Sequence, residues 1–412
     1  MKKLLKIMLA GIVAVSLAAC SSSTTEPEAT EDTTTTEKET VELTVWGSQD
    51  DQEMLNGMLE SFKEANPEKD YVFTLGVVGE GDAKAKYLED PEAAADVFAF
   101  ANDQLRDLVN AGGLYKVTRS SDVEAITSNN AEGTVEATKI DDQIYAFPMS
   151  ADNGYFMYYD SSVFTEEDVM SFSTMLEVAG AADKKVFMDV SNGWYIASFF
   201  LGNGGTLAIG DDGVQICDFN NANGLAAGEA IKAITADSAF ITGDDSVLKA
   251  GFNDGSIAAG VSGTWNAGDI ADALGENYAA AKLPTYTTDA GEVQMGSFAG
   301  YKFYGVNSQT ANPTDAMDVA AWLTNEENQA IRFETRKIGP SNLTVAASDA
   351  VQSDAALGAL ASQSEFATSQ KDVLGSYWGP AEAFGTTMEA KDYTKSVQEL
   401  LDSMVEQIQT AQ

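Results

Sequence analysis

Residues 41–77 read VELTVWGSQDDQEMLNGMLESFKEANPEKDYVFTLGV, and their apolar spacing changes twice. Val41, Leu43 and Val45 alternate with polar residues, which predicts a strand ending at Trp46. Met54, Leu55, Met58, Leu59 and Phe62 then recur at helical spacing, and Asn66-Pro67 stops that helix. Tyr71, Phe73, Leu75 and Val77 restore the alternation. Farther on, Ala95 to Phe100 is a short apolar run suited to a buried strand, and Leu105, Leu108 and Val109 open a helix that closes at Gly112-Gly113. The strand–helix–strand–helix order predicts an α/β fold with a largely parallel sheet.

Ligand sites in such sheets lie outside the carboxyl ends of the strands. Trp46 with Asp50, and Phe100 with Asp103, both fall there, an aromatic followed within four residues by a carboxylate. A buried aromatic beside a helix-capping Asp is the plainer alternative. Trp194-Tyr195, Trp265 in GTWN and the Tyr377-Trp378 pair in GSYWGP stand in turn-rich stretches or at element ends, and as a set they suggest an aromatic-lined cleft. Trp322 falls inside a helical pattern over 314–337 and is expected in the core. A last helix over 392–410 carries Val397, Leu400, Leu401, Met404, Val405 and Ile408 on one face.

The 412 residues hold 24 Lys plus Arg against 64 Asp plus Glu, for a net charge of −40, and no histidine. Such a chain repels a phosphate backbone, so no nucleic-acid partner is expected. The missing imidazole excludes Ser-His-Asp and Cys-His nucleophiles and most zinc sites. Carboxylate chemistry, calcium bound by oxygen, or binding without chemistry survive. Gly79-Glu80-Gly81 lacks the further glycine and lysine of a phosphate loop. Asp211-Asp212-Gly213 and Asp244-Asp245 lack the EF-hand spacing and read as turns. No metal and no cofactor are expected.

The N-terminus has its own logic. Lys2, Lys3 and Lys6 flank the apolar run Ile7–Leu17, too short to span a bilayer and typical of a secretory signal peptide over 1–19. Leu17-Ala18-Ala19-Cys20 resembles a bacterial lipobox, which implies lipidation at Cys20 and leaves Cys217 as the only thiol. Residues 20–40, rich in Ser, Thr and Glu, are expected to form a disordered tether between a membrane anchor and the folded body.

Several segments together resemble the extracytoplasmic solute-binding proteins of carbohydrate ABC importers, the maltose- and maltodextrin-binding group in particular. They are LTVWGSQDDQEML (43–55), ADVFAFANDQLRDLVNAGGL (95–114), IYAFPMSADNGYFMYYDSSVF (144–164), FNDGSIAAGVSGTWNAGDI (252–270), KLPTY (282–286) and NPTDAMDVAAWLTNEENQAIRFETRKIGPSN (312–342). The resemblance implies two α/β lobes joined by hinge crossovers, 41–152 plus 298–348 and 153–297 plus 349–412, with a ligand cleft between them. It places Asp50, Phe100, Asp103 and Asp152 on the first lobe's sugar-binding positions, and Trp194, Trp265, Tyr377 and Trp378 on the second lobe's aromatic ones. Four positions depart from the family pattern: Asp51 for Lys, Gln104 for Arg, Asn192 for Glu and Ala381 for Arg.

The expected function is capture of an oligosaccharide, an α-glucan such as maltodextrin, by a monomeric lipid-anchored protein that delivers it to an ABC permease. The ligand-binding set is Trp46, Asp50, Phe100, Asp103, Asp152, Trp194, Tyr195, Trp265, Tyr377 and Trp378. A surface glycosidase is the enzymatic alternative, since Asp50, Asp103 and Asp152 could supply carboxylates at the roughly 5–5.5 or 6.5–9.5 Å separations that hydrolysis needs. A sugar-binding adhesin or sensor without transport is the third reading.

Overall fold

The computed structural model describes residues 38–210 and 212–410. The expected signal peptide, Cys20 and nearly all of the expected tether lie outside them. Along the chain come strands Thr40–Gly47 (β1), Asp70–Val77 (β2), Val97–Ala101 (β3), Phe147–Asn153 (β4), Phe156–Asp160 (β5), Lys185–Phe187 (β6), Phe240–Ile241 (β7), Ile257–Ser262 (β8), Tyr278–Ala281 (β9), Ser297–Val306 (β10) and Ala367–Ser369 (β11). β1 starts one residue inside the expected tether, because Thr40 already pairs with Asp70.

These strands form two sheets. The first runs β11-β10-β3-β1-β2, with β4 also pairing with β10; the second runs β7-β6-β8-β5-β9. Both are mixed rather than largely parallel. β1 is parallel to β2 and β3, but β10 lies antiparallel to β3 and to β4. In the second sheet β5 is antiparallel to both β8 and β9. The physical reason is the route of the chain. It leaves the first sheet through β4, enters the second after Gly154-Tyr155, and re-enters the first through the ten-residue β10 running the opposite way.

The periodicities seen at 41–77 become real faces. Helix Gln52–Ala65 buries Met54, Leu55, Met58, Leu59 and Phe62 against Val41, Leu43 and Val45 of β1. The 314–337 pattern is two helices, Pro313–Leu323 and Glu326–Arg336, because the Asn325 side chain accepts from Asn328 N and starts a new helix. Trp322 packs on the first-sheet core and donates its indole N–H to Met58 O at 2.9 Å. The last helix begins at Val397, later than 392, since Asp392 accepts from Thr394 N in a turn before it. It buries Val397, Leu401, Met404, Val405 and Ile408, while Leu400 is only partly covered.

One glycine sets a distance that matters for the site. Helix Trp378–Glu389 lies so close to the segment after β6 that a Cβ on Gly385 would sit 2.0 Å from Val190 O. Only glycine lets the backbones meet there, and the contact brings Trp378 beside the start of helix Gly193–Gly202.

Candidate functional site

A cleft of about 740 Å³ opens where the strands of both sheets end, and it is lined from both sides. On the first-sheet side, the short turn Gln49–Asp51 after β1 carries Asp50, and the turn Asn102–Gln104 after β3 carries Asp103. The second-sheet side supplies three indoles, each at the head of a helical element. Trp194 is the second residue of helix Gly193–Gly202, Trp265 sits in the turn Thr264–Asn266 after β8, and Trp378 opens helix Trp378–Glu389. The Trp194 and Trp265 rings lie 5.8 Å apart at 42°.

Each ring is held. Asn192 caps its helix by accepting from Trp194 N at 2.9 Å, and Trp194 Nε1 donates to Gln370 Oε1 at 2.9 Å. Trp265 Nε1 donates to Asp245 Oδ2 at 3.0 Å, while the Lys302 ammonium sits 5.0 Å over the same ring. Trp378 rests against Tyr377 and Phe298 at 5.0 and 5.9 Å. Fixed, half-exposed indole faces of this kind are stacking surfaces for the C–H face of a ligand ring.

Of the ten residues expected to bind, Asp50, Asp103, Trp194, Tyr195, Trp265 and Trp378 line the cleft, and four do not. Phe100 is wholly buried, its ring against Phe98 and Phe303, because both faces of β3 are covered. Trp46 is packed beside Phe98 under the 76–78 backbone. Tyr377 is buried behind Trp378, its hydroxyl donating to Gly193 O at 2.9 Å. Asp152, 3 % exposed, sits at the end of β4 and accepts from the Thr264 hydroxyl and, at 2.6 Å, from Gly339 N. It thereby ties the first crossing to the turn that carries Trp265.

The four departures from the family pattern have local explanations. Asp51 is buried and pairs with Arg336 at 3.0 Å and Arg332 at 3.5 Å. Gln104 pins the 80–84 loop, donating to Glu80 O and Gly81 O and accepting from Lys84 N. Asn192 is the helix cap already described. Ala381 is buried against Gly193, where an arginine would have no room.

Several lining residues carried no signal in the sequence: Asn153, Asp189, Lys302, Arg336, Gln370 and Glu382. Each is a single polar residue in an otherwise ordinary element. Asp244-Asp245, expected as a turn, is instead the start of helix Asp245–Asp254, because the Asp244 side chain caps it by accepting from Ser246 N and Val247 N, and both residues reach the cleft.

Electrostatically the cleft is acidic. Nine carboxylates line it against Lys84, Lys302 and Arg336. Lys84 is paired with Asp107 at 2.7 Å, and Arg336 with Asp51. Burial raises Asp189 and Glu382 above the ordinary carboxylate range. Burial also pushes Asp103 up to about 6, opposed by the Lys84 charge and a hydrogen bond from Gln370. Contacts already cross between the walls: Lys249 lies 3.6 Å from Asp50, and Arg336 donates to Trp265 O at 3.4 Å.

Comparison with known proteins agrees with this geometry. Residues 57–359 match the family described as bacterial extracellular solute-binding protein. The galactooligosaccharide-binding protein of Bacillus subtilis is 26 % identical over 404 residues, 93 % of this chain and 91 % of that protein. The maltodextrin-binding protein of the same organism is 24 % identical over 407 residues, again 93 % and 91 %. A solved structure with acarbose is 33 % identical, with a TM-score of 0.81 over 90 % of this chain and 99 % of that one. Two mixed sheets linked by chain crossings, with a cleft between them, are the two-lobe architecture of that family, and this chain is a bacterial extracellular solute-binding protein.

Proposed function

We propose that this protein captures a neutral oligosaccharide in the cleft, an α-glucan such as maltodextrin, and delivers it unchanged to an ABC permease. The observation that carries the reading is the pairing of three held indoles on one wall with Asp50 and Asp103 on the other. Indoles offer apolar faces to pyranose C–H bonds, and carboxylates and amides accept from hydroxyls. The cleft volume falls within the roughly 300–1,000 Å³ of small-ligand sites. A ligand touching both walls binds the closed arrangement better than an open one, and that difference drives closure about the crossings. The lobe boundaries at 152/153, 297/298 and 348/349, a lipid anchor at Cys20 and a monomeric state complete the proposal.

The relatives' names divide between galacto-oligosaccharide and maltodextrin, so the decisive experiment is calorimetry against maltotriose, maltohexaose, galacto-oligosaccharides and oligogalacturonate. A neutral glycan is expected to bind and oligogalacturonate to fail, because nine carboxylates repel an anion where the cations are engaged. Failure of every neutral glycan overturns the carbohydrate reading. Recovering bound maltohexaose intact after long incubation separates a binding protein from a glycosidase.

A pH series makes a second prediction. Asp103 titrates near 6, so a ligand hydroxyl meets a charged acceptor above that pH and a neutral carboxyl below it. Affinity is expected to drop by about 1 kcal/mol, roughly fivefold, as pH falls from 7.5 to 5, and Asp103→Asn should flatten the profile. The stability effect of the same group has the opposite sign. With its folded value raised, the folded chain holds the proton longer, so this contribution fades as pH rises from about 4 to 6.

A further inference from the structure

Gln370 stands at the floor of the cleft, 4 % exposed, in the turn Gln370–Asp372 that follows β11. Its Oε1 accepts from Trp194 Nε1 at 2.9 Å and from Asn153 Nδ2 at 3.2 Å, and its Nε2 donates to Asp103 Oδ1 at 2.8 Å. The amide orientation is fixed by valence, since two N–H donors need an oxygen and a carboxylate needs a donor. These partners come from three separate segments. Asp103 belongs to the first-sheet wall, Trp194 to the second, and Asn153 to the crossing between them.

We propose that Gln370 is a positioning residue that holds the Asp103 carboxylate at a fixed spacing from the Trp194 indole, so that the acceptor for a ring hydroxyl and the stacking face for the same ring form one preassembled subsite. The inference rests on the oligosaccharide reading. With Oδ1 of Asp103 engaged by Gln370, Oδ2 is the oxygen presented to a ligand. A subsite already ordered before binding spares the ligand the entropy of assembling it. Loss of the amide would release the Asp103 carboxylate and the Trp194 indole together, an effect that truncating either one alone would not produce.

The charged groups around the triad are few. Lys84 and Asp107 act on Asp103 in opposite senses. Arg106 faces Asp372 at 3.9 Å, the Lys371 ammonium reaches Glu136 O, and Lys302 on β10 is taken up with the Trp265 ring.

Two variants of the full chain test the proposal. Gln370→Glu keeps an acceptor for Trp194 and Asn153 but turns a second carboxylate oxygen onto Asp103. Gln370→Met removes the donor without adding charge. In ligand-free protein, carbon-13 NMR of the Asp103 carboxyl should show its titration moved upward by about one unit or more in both variants. In maltotriose titrations Gln370→Glu should bind about tenfold more weakly at pH 8 and within about threefold of wild type at pH 5, where one proton is shared between the carboxylates, whereas Gln370→Met should be weak at both. A packing role alone would leave the Asp103 titration where it is. An unmoved Asp103 titration, or the same deficit for Gln370→Glu at both pH values, overturns the inference while leaving the oligosaccharide reading intact. A moved titration in both variants, together with a wild type that binds no glycan, supports the Gln370–Asp103 hold and sinks the oligosaccharide reading instead.

Discussion

Trp265→Ala and Trp378→Ala are each expected to weaken glycan binding by about 2 kcal/mol or more, roughly thirtyfold, in a calorimetric titration. The magnitude follows from how the rings are held rather than from their area. Trp265 is fixed on three sides, by Asp245 at its N–H, by the Lys302 ammonium over its face and by the Trp194 ring. Trp378 is propped by Tyr377, which is itself locked through its hydroxyl to Gly193 O. Side chains with so little rotamer freedom lose little entropy when a sugar stacks on them. Trp322→Ala is the control. That indole packs against Phe62 at 5.8 Å, neither residue lines the cleft, and its loss should lower stability without touching affinity. Wild-type titrations for both cleft variants would sink the assignment of the aromatic wall.

How much of this was legible in the chain depends on the kind of signal. Alternation at 41–45 and helical spacing at 54–62 report a buried face directly, and both elements form where expected. The same logic could not sort Trp46, Phe100 and Tyr377 from Trp194, Trp265 and Trp378. An aromatic at the end of an element reads alike whether it turns inward or outward. In a sheet covered on both sides, period two says nothing about which neighbour meets solvent. Phe100 shows this, since every residue of β3 is buried. Gln370 was invisible for a different reason. One amide gains its meaning from Asp103, 267 residues away, and from Trp194, 176 away, and no local pattern encodes that meeting.

The charge balance also changes meaning once it is placed in space. A net charge of −40 excluded nucleic acid and did little more. The structure concentrates part of that charge in the cleft, where it sets a sign for the ligand. The chain has no histidine, and burial pushes the cleft carboxylate Asp103 up to about 6.

The second large effect concerns stability. Asp51→Ala is expected to cost about 3–5 kcal/mol, the usual consequence of leaving a buried charge without its partner. Arg332 is 1 % exposed and Asp51 hardly more, with 3.5 Å between Arg332 Nη1 and Asp51 Oδ2. The guanidinium also lies 5.7 Å from the Tyr304 ring centroid, and its Nη2 is 4.0 Å from Met58 Sδ. Neither can replace a carboxylate as counter-ion. Asp51 accepts from Arg336 as well, at 3.0 Å, and Arg336 in turn reaches Asp50 and Trp265 O. The substitution should therefore shift the urea midpoint and, in protein that remains folded, weaken glycan binding through a displaced Arg336. Pairing Asp51→Leu with Arg332→Met removes both buried charges and should recover most of the stability, since an apolar pair of similar volume avoids the desolvation cost. It should not recover the affinity, because Arg336 still lacks its anchor. A urea midpoint for Asp51→Ala equal to that of wild type would mean that Arg332 finds another counter-ion, and the two-arginine clamp on Asp51 would have to be abandoned.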